Sequence, residues 1–143
     1  MAGKRVNSGR ELAKALTELG KVVDDKGDGI IQKLTLDGFN NLVRLTPVDT
    51  GFLRSRWAVS VNTPPTTQTV GHPGEGTYAV SQMPRVKPQW GDRVYLYNNV
   101  EYAYYQEHGT SRNRAQPMVE PTYRYLLNEA NRLTKTLSKD RMA

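Results

Sequence analysis

The sequence predicts an α+β domain, and three observations carry that reading. Apolar residues recur at steps of three and four over residues 9–45 and again over 121–137, the period of one helix face. Residues 53–61 and 93–97 instead alternate at period two, as half-buried strands do. A stretch rich in Pro, Thr and Gly separates the two strand-like runs, which fits an antiparallel pair with a long connection.

The N-terminal helical region runs through Leu12, Leu16 and Leu19, then through Ile31, Leu34, Leu42 and Leu45, with Gly38 completing the stripe. Between these runs lie Gly20, Gly27 and Gly29. Each glycine inside a helix costs about 1 kcal/mol relative to alanine, so the region is expected to break into two helices between residues 20 and 29. Pro47 ends the second, because the residue before a proline is pushed out of the α region.

After a turn at Asp49, Thr50 and Gly51, the positions Leu53, Ser55, Trp57, Val59 and Val61 read as the first strand. Residues 63–89 then form a long loop or hairpin, with one short strand-like piece at 77–80. Such a length exceeds a passive connection in a compact domain. Arg93, Val94, Tyr95, Leu96 and Tyr97 make the second strand, stopped by Asn98 and Asn99. Residues 102–108 suit a short helix with Gly109 in the left-handed position after its last turn. The last helix is expected to start at Pro121 and to bury Leu126, Ala130, Leu133 and Leu137. The chain shows no internal repeat, so residues 1–143 are read as a single domain.

Composition narrows the function. The 143 residues contain no Cys, which excludes a disulfide scaffold, a thiol nucleophile and any Cys-ligated metal. No run approaches the roughly eighteen apolar residues of a membrane span, so no membrane association is expected. The polar N-terminus lacks the apolar core of a signal peptide, and the chain is expected to stay in the cytoplasm where it is made. The net charge is +6, and residues 1–71 and 72–143 each hold ten basic and seven acidic residues. A dedicated nucleic-acid surface concentrates its charge. This even spread weighs against the alternative of a small basic nucleic-acid-binding module.

The acidic run Asp24, Asp25, Lys26, Gly27, Asp28, Gly29 superficially resembles a calcium loop. Counted from Asp24, Lys26 stands third and Thr35 twelfth, where carboxylates are required, so no metal is assigned. His72 and His108 are the only histidines and lack metal-ligand spacing, and Glu101 or Glu107 beside His108 comes with no nucleophile. The sequence therefore assigns no catalytic residue and no cofactor. Tyr95, Tyr97, Tyr102, Tyr104 and Tyr105 place five of the eight tyrosines close to Arg112 and Arg114. Such a mixture is typical of protein interfaces, with core packing and base stacking as the alternatives.

The most specific segment is Pro47, Val48, Asp49, Thr50, Gly51, Phe52, Leu53, Arg54. It resembles the Pro-Val-Asp-Thr-Gly-x-Leu-Arg hallmark of the neck and tail-completion proteins of long-tailed bacteriophages, the minor tail protein Z type included. Tyr102, Ala103, Tyr104, Tyr105, Gln106, Glu107, His108, Gly109 and Thr110 are similar to that family's Tyr-Ala-x-Tyr-x-Glu-x-Gly-Thr segment. Gln116, Pro117 and Met118, followed by Pro121, are similar to its entry into the last helix, although Met118 replaces the usual aromatic residue.

The resemblance spans residues 46–121 and implies a structural virion protein without catalysis. It further implies a ring, sixfold by analogy with the tail, between the head connector and the tail. The implied partners are its own copies, head-completion or connector proteins and tail-terminator or tail-tube proteins, with transient contact to genomic DNA in the channel. Pro47, Asp49, Thr50, Gly51 and Leu53 are then the structural turn of the motif. Arg54, Arg56, Tyr102, Tyr105, Glu107, Arg112 and Arg114 are candidates for an interface or the channel wall.

Overall fold

The computed structural model describes residues 8–47, 51–54, 56–64, 86–98, 100, 103–112 and 114–142. The described elements follow the order α1 (Ser8–Gly20), α2 (Gly27–Leu45), α3 (Gly51–Arg54), β1 (Trp57–Val61), β2 (Val94–Asn98), α4 (Ala103–His108) and α5 (Val119–Met142). The α+β expectation is met, with helices first, an antiparallel pair of strands and a closing helix. The expected strand piece at 77–80 lies outside the described residues.

Helices α1 and α2 separate where the glycines predict. Their junction brings Gly27 so close to Trp90 that an added Cβ would lie 2.9 Å from the tryptophan's Cβ and 3.1 Å from its ring. Trp90 is fixed there because its amide donates to Asp28 Oδ1 at 2.9 Å, and Gln32 Nε2 donates to the Pro88 carbonyl at 3.1 Å. The residues before β2 are thereby strapped across the helix junction.

Two apolar clusters hold the domain together. Ala15 and Leu19 of α1, Leu34 of α2 and Ala130 of α5 form one, joined by the partly buried Leu16, Leu126, Leu133 and Leu137. This bears out the apolar spacing of α5. Phe39, Leu42 and Val43 of α2 form the other with Leu53, Trp57, Val100 and Met118. Gly38 sits between them, where a Cβ would come within 3.1 Å of Leu96 and 3.3 Å of Leu126. The helix stripe therefore contains a glycine because sheet and C-terminal helix both close on that point.

Strand β1 pairs antiparallel with β2 from Trp57 opposite Asn98 to Val61 opposite Val94. Period two puts Val59 and Leu96 toward the helices and Tyr95 and Tyr97 on the other face. Past the last pair, Asn62 adopts a left-handed φ of 61°. Its side chain accepts from the Arg93 amide at 2.9 Å and donates to Asp92 at 3.0 Å. Asp92 also receives the Gln89 amide at 2.8 Å around Gly91, whose φ of 99° favours glycine. The hairpin is thus knotted shut where the long connection leaves it.

Two expectations need correction. Leu53 and Arg54, read as the start of the strand after a turn ending at Gly51, belong instead to the helical turn α3, and the strand begins at Trp57. Burial of Leu53 and Trp57 suits a spacing of four as well as of two, so alternation alone does not separate the two geometries. Helix α5 starts at Val119, two residues before Pro121. A proline in the first turn lacks only an amide that would have had no partner within the helix.

Candidate assembly surface and its frame

The family-like motifs converge at the C-terminal end of α2. Thr46 is buried there, and its hydroxyl donates to the Leu42 carbonyl at 2.8 Å while accepting the Trp57 indole N–H at 2.7 Å. Met118 Sδ lies 3.2 Å from the same oxygen. Leu53 is fully buried, and its carbonyl accepts from the Asn98 side chain at 2.8 Å. Arg54 turns back to α2, its Nε donating to the Val43 carbonyl at 3.1 Å and its Nη2 reaching the Arg44 carbonyl at 3.5 Å. Carbonyls at a helix C-terminus lack intrahelical donors and carry the negative end of the dipole, so a guanidinium is well placed there. In Pro-x-x-x-Gly-x-Leu-Arg, Leu and Arg are therefore what return the chain to the helix it has left. Pro47 is half-buried directly after α2, and Gly51 opens α3. Asp49 and Thr50 lie outside the described residues.

A second frame joins α4 to α5. Glu107 Oε1 accepts the amides of Met118 at 2.7 Å and Val119 at 2.8 Å, and Oε2 accepts that of Glu120 at 3.1 Å. These are the amides that an α-helix leaves without partners at its start, and the carboxylate also faces the positive end of the dipole. Gln106 ties the same segments together, its carbonyl accepting the Gln116 amide at 2.8 Å and its side chain donating to Gln116 Oε1 at 2.7 Å. Gly109 takes the predicted left-handed position, φ 82°, and its amide closes on the Tyr105 carbonyl at 2.7 Å.

With Gln106 and Glu107 turned to α5, the opposite side of α4 presents rings. Tyr104 is 62% exposed and Tyr105 50%, among the most exposed large apolar residues described. They meet edge to face at 5.6 Å between centroids, and the His108 ring lies 4.4 Å from Tyr104. Arg112 and Arg114 follow, both exposed. Of the sequence-predicted site residues, the structure leaves Tyr105 of α4, and Arg112 and Arg114 in the segment after it, exposed. It places Glu107 behind them as a helix cap, and Arg54 at the end of α2. Arg56 is half-buried just before β1, and Tyr102 lies outside the described residues. Tyr104, read in the sequence as part of the tyrosine cluster but not among the named contact candidates, is the most exposed ring among the described residues, and its place three residues before Glu107 in a short helix was the available signal.

An apolar cleft of about 370 Å³ lies elsewhere, between α1, α2, β2 and α5, lined by Leu12, Leu16, Ile31, Leu34, Val94 and Leu126. The carboxylate on its wall, Asp92, is held below the usual range by the Gln89 amide and then by the Asn62 side chain. That favours a permanently ionised structural acid over a proton carrier. Among the described residues no group of His, Asp or Glu is arranged to hold a metal ion.

A scan against family models matches residues 10–109 to the HK97-gp10-like family, described as "Bacteriophage HK97-gp10, putative tail-component". The chain belongs to this family. The match runs from α1 through the Arg54 turn and the hairpin to Gly109, so it holds the tail component's first motif and all of the second but Thr110, and the entry to α5 falls beyond. No curated protein and no solved structure matches the tail component. Membership gives it a structural role in the phage tail and a place in the virion beside other virion proteins. Among the described residues no helix is long and apolar enough to cross a membrane.

Proposed function

We propose that this tail component is a neck or tail-completion subunit, forming a ring of its own copies, sixfold in the simplest match to tail symmetry, between the head connector and the tail. One observation supports this most directly. The motif residues Leu53, Arg54 and Glu107 are engaged in holding internal corners, and Glu107 fixes the helix that carries the exposed Tyr104 and Tyr105, with the exposed Arg112 and Arg114 in the segment after it. Rings and arginines on a preorganised frame lose little entropy on docking and are the residues that dominate protein contacts. The remaining partners in this reading are connector or head-completion proteins on one side and tail-terminator or tail-tube proteins on the other. The net charge of +6, spread evenly, suits a channel wall that genomic DNA crosses without being held. Assembly takes place in the host cytoplasm.

The test combines purified tail component with candidate connector and tail-tube proteins, reading mass in solution and particles by negative stain. Co-assembly into a ring at the end of tails is expected. Failure to join any head or tail component refutes the reading.

A further inference from the structure

We infer that the outward face of α4 with the turn after it docks against the acidic α1–α2 corner of a second copy, joining copies head to tail. The inference rests on the ring reading and assigns its contact surfaces.

The first surface takes the exposed Tyr104 and Tyr105 of α4 together with the exposed Arg112 and Arg114 of the turn after it. Four of its properties favour a partner over solvent. The two tyrosines stand side by side, so their exposed area is contiguous rather than scattered. Their helix is pinned through Gln106 and Glu107, so docking need not order it. Neither arginine forms an ion pair with an acid among the described residues. The nearby carboxylate of Glu107 is turned inward onto three amides, which leaves the surface charge of this end positive.

The second surface supplies the opposite sign. Residues 18–28 hold Glu18, Asp24, Asp25 and Asp28 against Lys21 and Lys26, four acids to two bases. Glu18 and Lys21 pair at 2.9 Å, so the exposed Asp24, Asp25 and Asp28 outnumber the one remaining lysine. Gly20 and Gly27, with the Trp90 ring against both, give this corner its shape.

The two surfaces lie at opposite ends of α2. Its N-terminus is at the acidic corner, and its C-terminal Thr46 touches Met118 beside Glu107. Nineteen helical residues at 1.5 Å each separate the ends by about 28 Å. One chain cannot satisfy its own basic end with its own acidic end, whereas two copies can. A contact between different patches on identical chains is heterologous, and it closes into a ring when its rotation allows. The charges steer and orient, and the tyrosines supply the apolar area.

The test is sedimentation velocity over a concentration series at low and physiological salt. It compares the full chain with R112E/R114E, D24K/D25K and Y104S/Y105S, each checked for folding by thermal melting. The expected result is association of the parent chain that strengthens at low salt and weakens at least about tenfold in each variant. An equimolar mixture of R112E/R114E and D24K/D25K should recover it, because one variant is acidic at both ends, the other basic at both, and they can alternate. A parent chain that stays monomeric at every concentration overturns the inference. So does association indifferent to both charge reversals, or a mixture that does not recover. If R112E/R114E changes only retention on DNA, the face belongs to nucleic acid and the inference also fails. Rings that persist in both reversed variants by negative stain leave the ring reading standing and overturn this contact alone, whereas failure to join tails at all strikes the ring reading.

Discussion

Replacing Glu107 tests the frame on which the exposed face depends. The carboxylate accepts three amides at the start of α5, at 2.7, 2.8 and 3.1 Å, from a half-buried position. Losing a helix N-cap costs about 0.5–2 kcal/mol, and a partly buried charge on the helix dipole adds up to about 2 kcal/mol. Water can reach some of the freed amides, so Glu107→Ala is expected to cost about 3 kcal/mol rather than the full sum. Glu107→Gln keeps one acceptor oxygen, which can retain the Met118 and Val119 amides, but turns an NH₂ toward the Glu120 amide. Its cost should be about half as large. For a chain of this size 1 kcal/mol corresponds to about 3–4 °C in Tm, so the Ala variant should melt about 10 °C lower and the Gln variant about 5 °C lower. Urea unfolding at neutral pH and calorimetry both read this. An Ala variant melting within about 2 °C of the parent would refute the capping argument, and so would a Gln variant at least as damaged as Ala.

Three further predictions follow from the same geometry. Thr46→Val keeps the side-chain volume but strands the buried Trp57 N–H, at an expected cost of about 1–3 kcal/mol in urea unfolding. Gly27→Ala should lower Tm because its Cβ would collide with Trp90, while Gly29→Ala, with nothing within 4 Å, should raise stability by about 0.5–1 kcal/mol. Glu18, Asp92 and Glu129 have carboxyls held below their ordinary values, by Lys21, the Gln89 amide and Arg132 respectively. A depressed folded-state pKa contributes stability above the unfolded value that is lost as pH falls through the folded one, so melting should drop below about pH 4. In D92N that acid loss should be smaller, as read by melting across a pH series.

Elements whose signals are local were legible in the sequence. The break between α1 and α2 follows from three glycines, and the left-handed Gly109 from its place after a short helix. Gly38 was readable as part of a buried stripe, though not as the point where Leu96 and Leu126 close in. What stayed hidden depends on residues distant in sequence. Glu107 resembles an interface or acid–base residue until its partners, eleven to thirteen positions later, are known to be amides of α5. Arg54 likewise reads as surface charge until it is seen to face carbonyls at the end of α2. Period alone could not distinguish a helical turn from a strand across Leu53 and Trp57. The exposure of Tyr105, Arg112 and Arg114 fits their polar surroundings in the sequence, where all three lie within ten positions of one another.

The pairing of α1 with α5 is the most extensive between elements of the domain, and it joins the first described helix to the last. Leu16 and Leu19 therefore lack their main cover until α5 has been synthesised. A chain cut short before that point would present sticky leucines and an unfinished core. Misfolding would then remove it before it could enter a particle, so the topology itself acts as quality control on the subunits available for assembly.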